Sequence, residues 1–146
     1  MEKITLPNGF RIILEPVDWA RSATMGIWVG SGSRYETPQT AGVSHFIEHM
    51  LFKGTQHRTA EKLAGEMDAV GGQINAFTTK ECTCFYAKVT DDELPLAVDI
   101  LSDLALRPVF DAGELEKERG VVLEEIARMS HVTMQINPQC PGAGRP

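Results

Sequence analysis

Between Val43 and Phe52 the apolar side chains fall at Val43, Phe46, Ile47, Met50 and Leu51, three and four residues apart. That period belongs to an α-helix that buries one face; a strand would scatter the five over both of its sides. The positions left over include His45, Glu48 and His49. Residues four apart on a helix lie one turn above the other, so the two imidazoles point the same way and Glu48 overlooks the same spot. The helix must therefore pack on a core through one face and present two imidazoles and a carboxylate on another. Gly54 stops it.

The rest of the chain supplies that core. Asn8-Gly9 between the apolar runs Lys3–Leu6 and Phe10–Leu14 signals a hairpin. A third strand is expected over Ala23–Val29. Thr59 is a plausible N-cap for a second helix to about Val70, which Gly71-Gly72 ends. Ile74 to Val89 is rich in β-branched and aromatic residues and reads as one long strand or a hairpin. Asp91 or Asp92 should cap a helix through Leu106 that Pro108 closes, and Asp111 a last helix from about Ala112 to Met129. Strands, helices, strand, helices in that order predict an α+β fold, a mostly antiparallel sheet with helices packed on one face. Residues 1–129 are expected to form one domain. Residues 130–146 carry Pro138, Pro141, Pro146, Gly142 and Gly144 without apolar periodicity, and read as an unstructured tail.

At 146 residues the chain can bury one core. Its net charge of −6 argues against a nucleic acid held by phosphate contacts. No basic, then apolar, leader opens the sequence, and no run approaches the roughly 20 apolar residues that span a bilayer. The expected location is the cytoplasm, with no membrane partner. Three cysteines, Cys82, Cys84 and Cys140, then read as free thiols. Cys82 and Cys84 alternate as on a strand and share a face, as packing thiols. Trp19 and Trp28 are expected to be core or packing residues, His57 to lie in a solvated loop, and His131, in the anomalous tail, has no assigned role.

The chemistry suited to His45 and His49 is metal binding. Two imidazoles on one helix face can share a tetrahedral zinc ion at about 2.0–2.1 Å. Zinc brings the pKa of a water to about 7, and a carboxylate such as Glu48 can take the proton. The bland alternative is a solvated helix face that carries these residues by chance. A catalytic site needs a third protein ligand and an open position. Glu114, Glu116, Glu118, Glu124 and Glu125 of the last helix are all candidates. Glu118 and Glu125, seven apart, share a face, which suggests one ligand and one carboxylate that orients a histidine.

His-x-x-Glu-His is the inverted zincin pattern, and the run Ala41-Gly42-Val43-Ser44-His45-Phe46-Ile47-Glu48-His49-Met50-Leu51-Phe52-Lys53-Gly54-Thr55 closely resembles the signature of the M16 peptidases. That family includes pitrilysin, insulinase and the mitochondrial processing peptidases, and the likeness is best to its bacterial processing-protease branch. Leu6-Pro7-Asn8-Gly9, Gly71 to Thr78 and Glu118 to Ile126 resemble the family's opening hairpin, its active-site edge strand and the helix of its third ligand. The resemblance implies His45 and His49 as ligands of one zinc ion and Glu48 as general base. Glu125 stands 76 positions after His49, the spacing of the family's third ligand; Glu124 is its neighbour. Glu118 matches the supporting glutamate. Asn75 and Ala76 would meet the backbone of an extended peptide substrate, added as a strand. The implied activity is zinc-dependent endopeptidase hydrolysis. The alternative is a non-catalytic binding or assembly subunit of the same fold. In the family a second, C-terminal half closes the cleft and contributes Arg and Tyr contacts, so the resemblance makes residues 1–129 a partial domain, and this chain is expected to need that half or a partner subunit.

Overall fold

The computed structural model describes residues 1–136, with side chains through Arg128. Five strands and four helices follow in the order β1 (Glu2–Thr5), β2 (Arg11–Leu14), β3 (Ser22–Val29), α1 (Val43–Leu51), α2 (Ala60–Ala69), β4 (Gln73–Thr78), β5 (Thr83–Thr90), α3 (Leu94–Leu106) and α4 (Ala112–Ile136). Every strand pairing is antiparallel, as expected. The strands form two sheets: β1 and β2 pair only with each other, while a second sheet runs in the order β3-β5-β4. The Ile74 to Val89 stretch is a hairpin, turned at Thr79 to Cys82, where the Cys82 amide donates to the Thr79 hydroxyl at 3.0 Å.

The register of the three-stranded sheet sorts its faces. Ala23, Met25 and Ile27 of β3 stand opposite Val89, Ala87 and Phe85 of β5, and Ile74 and Ala76 of β4 stand opposite Ala87 and Phe85. This face is covered by helices. Phe85, Ala87 and Val89 form one core with Leu51 of α1, Leu63 and Met67 of α2, and Ala97, Ile100, Leu101 and Leu104 of α3. Phe85 and the helical residues other than Ala97 are the large apolar side chains, each worth about 1.5–3 kcal/mol when fully buried. The other face carries Trp28, Phe77 and Tyr86, with the Trp28 and Phe77 rings edge to face at 5.7 Å.

The local signals act as their chemistry requires in most places. The Thr59 hydroxyl accepts from the Lys62 amide at 3.2 Å, capping α2. At the other end Gly71 takes φ +63°, its amide bonds Asp68 O, and the Gly72 amide bonds Met67 O. That pair of bonds is a Schellman closure, which wants glycine at the left-handed position. The Asp111 carboxylate accepts from the amides of Gly113 and Glu114, capping α4.

Four expectations change. Asp91 and Asp92 do not cap α3; they form a 3-10 turn, and α3 begins at Leu94 after Glu93 with no side-chain cap. Trp19 and Trp28 are 87% and 66% exposed, so neither is a core residue, although Trp28 packs edge to face on Phe77. Cys84 is buried on β5, but Cys82 lies in the turn before it, so the two do not alternate along one strand. The last helix continues to Ile136, past the expected end at Met129. The remainder of the expected tail, with Cys140, lies outside the described residues, as does the His131 side chain. Among the described residues no helix is long and apolar enough to cross a membrane.

Candidate metal centre

The site is built where α1 packs against α4. Helix α1 starts at Gly42, which takes φ +89° and offers no side-chain cap. The cap comes from outside: the Glu36 carboxylate accepts from the amides of Gly42 at 2.7 Å and Ser44 at 2.8 Å. Those two bonds hold the Glu36 carboxyl below its ordinary value. A carboxylate at a helix N-terminus satisfies otherwise unpaired amides and opposes the helix dipole. At the far end Met50 and Leu51 are buried. The stripe is only partly covered, because Val43 and Ile47 are 43% and 40% exposed, and Ile47 lines an apolar groove of about 280 Å³ with Val29 and Phe110.

Helix α4 meets α1 through a stripe at Leu115, Glu118, Val122 and Glu125, of which Glu118 and Val122 are buried. The two glutamates reach the histidine face two turns apart. Nε2 of His45 lies 3.0 Å from Nε2 of His49. One oxygen of Glu125 lies 3.8 Å and 3.7 Å from those nitrogens. Among the described residues, His45, His49 and Glu125 are the group whose ligand atoms converge in a way that can hold a metal ion. Tetrahedral zinc with ligands at about 2.0–2.1 Å puts neighbouring ligand atoms about 3.3 Å apart, and the three observed separations bracket that value. Glu124 is exposed and pairs instead with Arg128 at 3.7 Å.

The second nitrogen of His49 is also committed. Nδ1 lies 2.8 Å from an oxygen of Glu118. A carboxylate oxygen accepts, so Nδ1–H donates, and the lone pair of His49 is on Nε2, facing His45 and Glu125. The other Glu118 oxygen takes the Lys53 ammonium at 2.5 Å. Burial alone would push the Glu118 carboxyl up; Lys53 and His49 more than offset this and hold it below its ordinary value. Three acceptors therefore converge at one point, and this donor set fits a zinc ion.

Glu48 is half-buried on the same helix, and its Oε2 is buried with no hydrogen-bond partner among the described residues. An unpaired buried carboxylate oxygen costs roughly 1–3 kcal/mol or more, and such groups concentrate where chemistry is done. Asn75 and Ala76 lie on β4, an edge of the three-stranded sheet and close to α1. Asn75 is exposed and its side-chain oxygen accepts from the Ala76 amide at 2.8 Å.

The family model for insulinase, peptidase family M16, matches residues 11–138. This chain belongs to the M16 peptidase family. Its curated relatives include the zinc protease YmxG of Bacillus subtilis (strain 168), described as uncharacterized. That protein is 50% identical over 126 residues, covering 86% of this chain and 31% of the relative. The probable mitochondrial-processing peptidase subunit beta of Arabidopsis thaliana is 41% identical over 132 residues, covering 90% of this chain and 25% of the relative. The crystal structure of a protease from Helicobacter pylori is similar with a TM-score of 0.81 at 26% identity, covering 85% of this chain and 30% of that one. The chain thus spans a quarter to a third of the length of these M16 relatives.

Two residues that shape this M16 site escaped the sequence reading. Glu36 lies six residues before the helix it caps, beyond the reach of any local capping pattern. Lys53 is adjacent to the motif in sequence, but its partner is 65 positions away on α4. The turn that brings Glu36 back to the start of α1 shows the first role, and the packing of α1 on α4 shows the second.

Proposed function

We propose that this chain carries the zinc-binding and proton-transfer elements of an M16-type metalloendopeptidase, an inverted zincin. The observation that carries the reading is the convergence of His45, His49 and Glu125 beside the unpaired, buried oxygen of Glu48. His45, His49 and Glu125 would hold the ion. Zinc, when bound, supplies a Lewis acid for the scissile carbonyl and lowers the pKa of a water.

The chain's own residues do the rest. Glu48 takes the proton of the attacking water and returns it to the leaving amine. Glu118 fixes the ring of His49 through Nδ1. The β4 edge around Asn75 and Ala76 pairs with the substrate backbone as an added strand, which selects extended peptides. Since the chain covers only part of its relatives' length, turnover is proposed to need the rest of such a protein or a partner subunit.

One observation favours a second reading. Relatives such as the Arabidopsis protein are by name subunits of a processing peptidase. A non-catalytic binding or assembly subunit would keep the metal site and lose turnover. Metal analysis together with cleavage of a quenched extended peptide separates the two, with Glu48→Gln as the control. One zinc per chain with Glu48-dependent cleavage supports the peptidase. Zinc without Glu48-dependent cleavage moves the chain to the second reading, and absence of bound zinc removes the site itself.

A further inference from the structure

We propose that Lys53 is a positioning residue for His49, acting through Glu118; this rests on the zinc site proposed above. The chain of contacts is continuous: Lys53 Nζ to one Glu118 oxygen at 2.5 Å, the other Glu118 oxygen to His49 Nδ1 at 2.8 Å, and His49 Nε2 to the point shared with His45 and Glu125.

Each end of this relay is anchored by the fold. The Lys53 amide donates to Met50 O at 3.0 Å, closing the last turn of α1. Directly after it Gly54 and Thr55 bridge to Thr59 and Pro108, so the segment is tied to the start of α2 and the end of α3. The Glu118 side chain is only 7% exposed.

The physical need for a second donor is torsional. The last torsion of a glutamate is broad, so one hydrogen bond to one oxygen leaves the carboxylate plane free to turn. A donor on each oxygen fixes the plane. Lys53 and His49 are the two partners of this carboxylate among the described ion pairs. With the plane fixed, the His49 ring is held with its Nε2 lone pair toward the site. Removing the ammonium leaves a buried carboxylate with a single partner, able to swing from His49.

Simple charge makes the opposite forecast. Deleting a cation next to a metal site should tighten binding of a cation by Coulomb's law. Positioning predicts weaker binding, so the sign of the effect decides. Lys53→Met keeps most of the apolar stem and removes the ammonium. Zinc affinity is measured by competition with a chelator for the wild type, Lys53→Met, Glu118→Gln and the double variant. Loss of an orienting partner costs about 10–100-fold in metal affinity. Lys53→Met should lose affinity in that range, and in the Glu118→Gln background it should cost nothing further. Unchanged or tighter zinc binding by Lys53→Met overturns the proposal, as does a double variant whose loss is the product of the two single losses. Wild-type protein that binds no zinc overturns the zinc site and this proposal with it. Nitrogen-15 NMR of the metal-free wild type gives a readout independent of any variant's folding. At a pH above the histidine range, His49 should carry its proton on Nδ1; a proton on Nε2 overturns the relay.

Discussion

Each ring nitrogen of His49 meets a different partner, and that division decides the chemistry available at the site. Nδ1 is spent on Glu118, so Nε2 is left to accept a cation beside His45 and Glu125. His45, Glu48 and His49 were legible because helical period alone puts them on one face. The proposed third ligand was not legible from period, which leaves the five glutamates of α4 open; the family spacing singled out Glu125. Packing separates them: Glu118 and Glu125 lie on the stripe that faces α1, while Glu124 turns outward to Arg128. Glu125→Gln should therefore weaken zinc binding by at least tenfold, and Glu124→Gln should leave it within about twofold, since its surface ion pair is worth about 1 kcal/mol or less. Competition with a chelating dye reads both, and the reverse order would move the ligand role to Glu124.

Helix α1 is short, nine residues, and too short to persist by itself in water. It is held by Met50 and Leu51 in the core at one end and by the Glu36 carboxylate at the other. Cap loss costs about 0.5–2 kcal/mol. Glu36→Ala should lower stability by that amount in urea unfolding and should also weaken zinc binding, because His45 is one turn from the frayed end; an unchanged unfolding midpoint would show that the cap does not hold α1. The caps of α2 and α4 could be read directly, because Thr59 and Asp111 lie within three residues of the amides they bond. Asp91 and Asp92 carried the same signal and failed as caps, because Asp91–Glu93 wind into a 3-10 turn and put Glu93 before α3. The β4–β5 hairpin was legible as extended structure; whether it was one strand or two depended on the Thr79 hydroxyl, which accepts from the amides of Glu81 and Cys82 to turn the chain.

Across the whole molecule, one ionic cluster around the buried Asp103 joins the loop after α1 to α2 and α3. Asp103 is 2% exposed; its carboxylate accepts from the Thr55 hydroxyl at 2.5 Å and from Arg58 at 3.2 Å. Arg58 also bonds Glu66 of α2 and Asp99 of α3, and these partners raise its pKa further despite its burial. Burial pushes the Asp103 carboxyl up, but Thr55 and Arg58 more than offset it and hold it below its ordinary value. A carboxyl whose folded value is depressed adds stability that is complete above its unfolded value. That stability is lost as the pH falls through the folded value. Stability should thus fall below about pH 4. Asp103→Asn, which leaves Arg58 short of a buried partner, should cost about 3–5 kcal/mol at neutral pH and flatten that acid limb in unfolding curves followed by circular dichroism. An unchanged acid limb would place the titration elsewhere. The overall α+β plan and the helices on one sheet face followed from element order and apolar period. The division into two sheets and the exposure of Trp19 and Trp28 did not, because strand pairing and solvent contact depend on what is adjacent in space, which composition does not encode. Whether His45, His49 and Glu125 hold one zinc ion is read out by X-ray absorption at the zinc edge of the metal-loaded protein. A shell of nitrogen and oxygen alone at about 2.0–2.2 Å with imidazole scattering is expected. Sulfur at about 2.3 Å, or no stoichiometric zinc to measure, would contradict it.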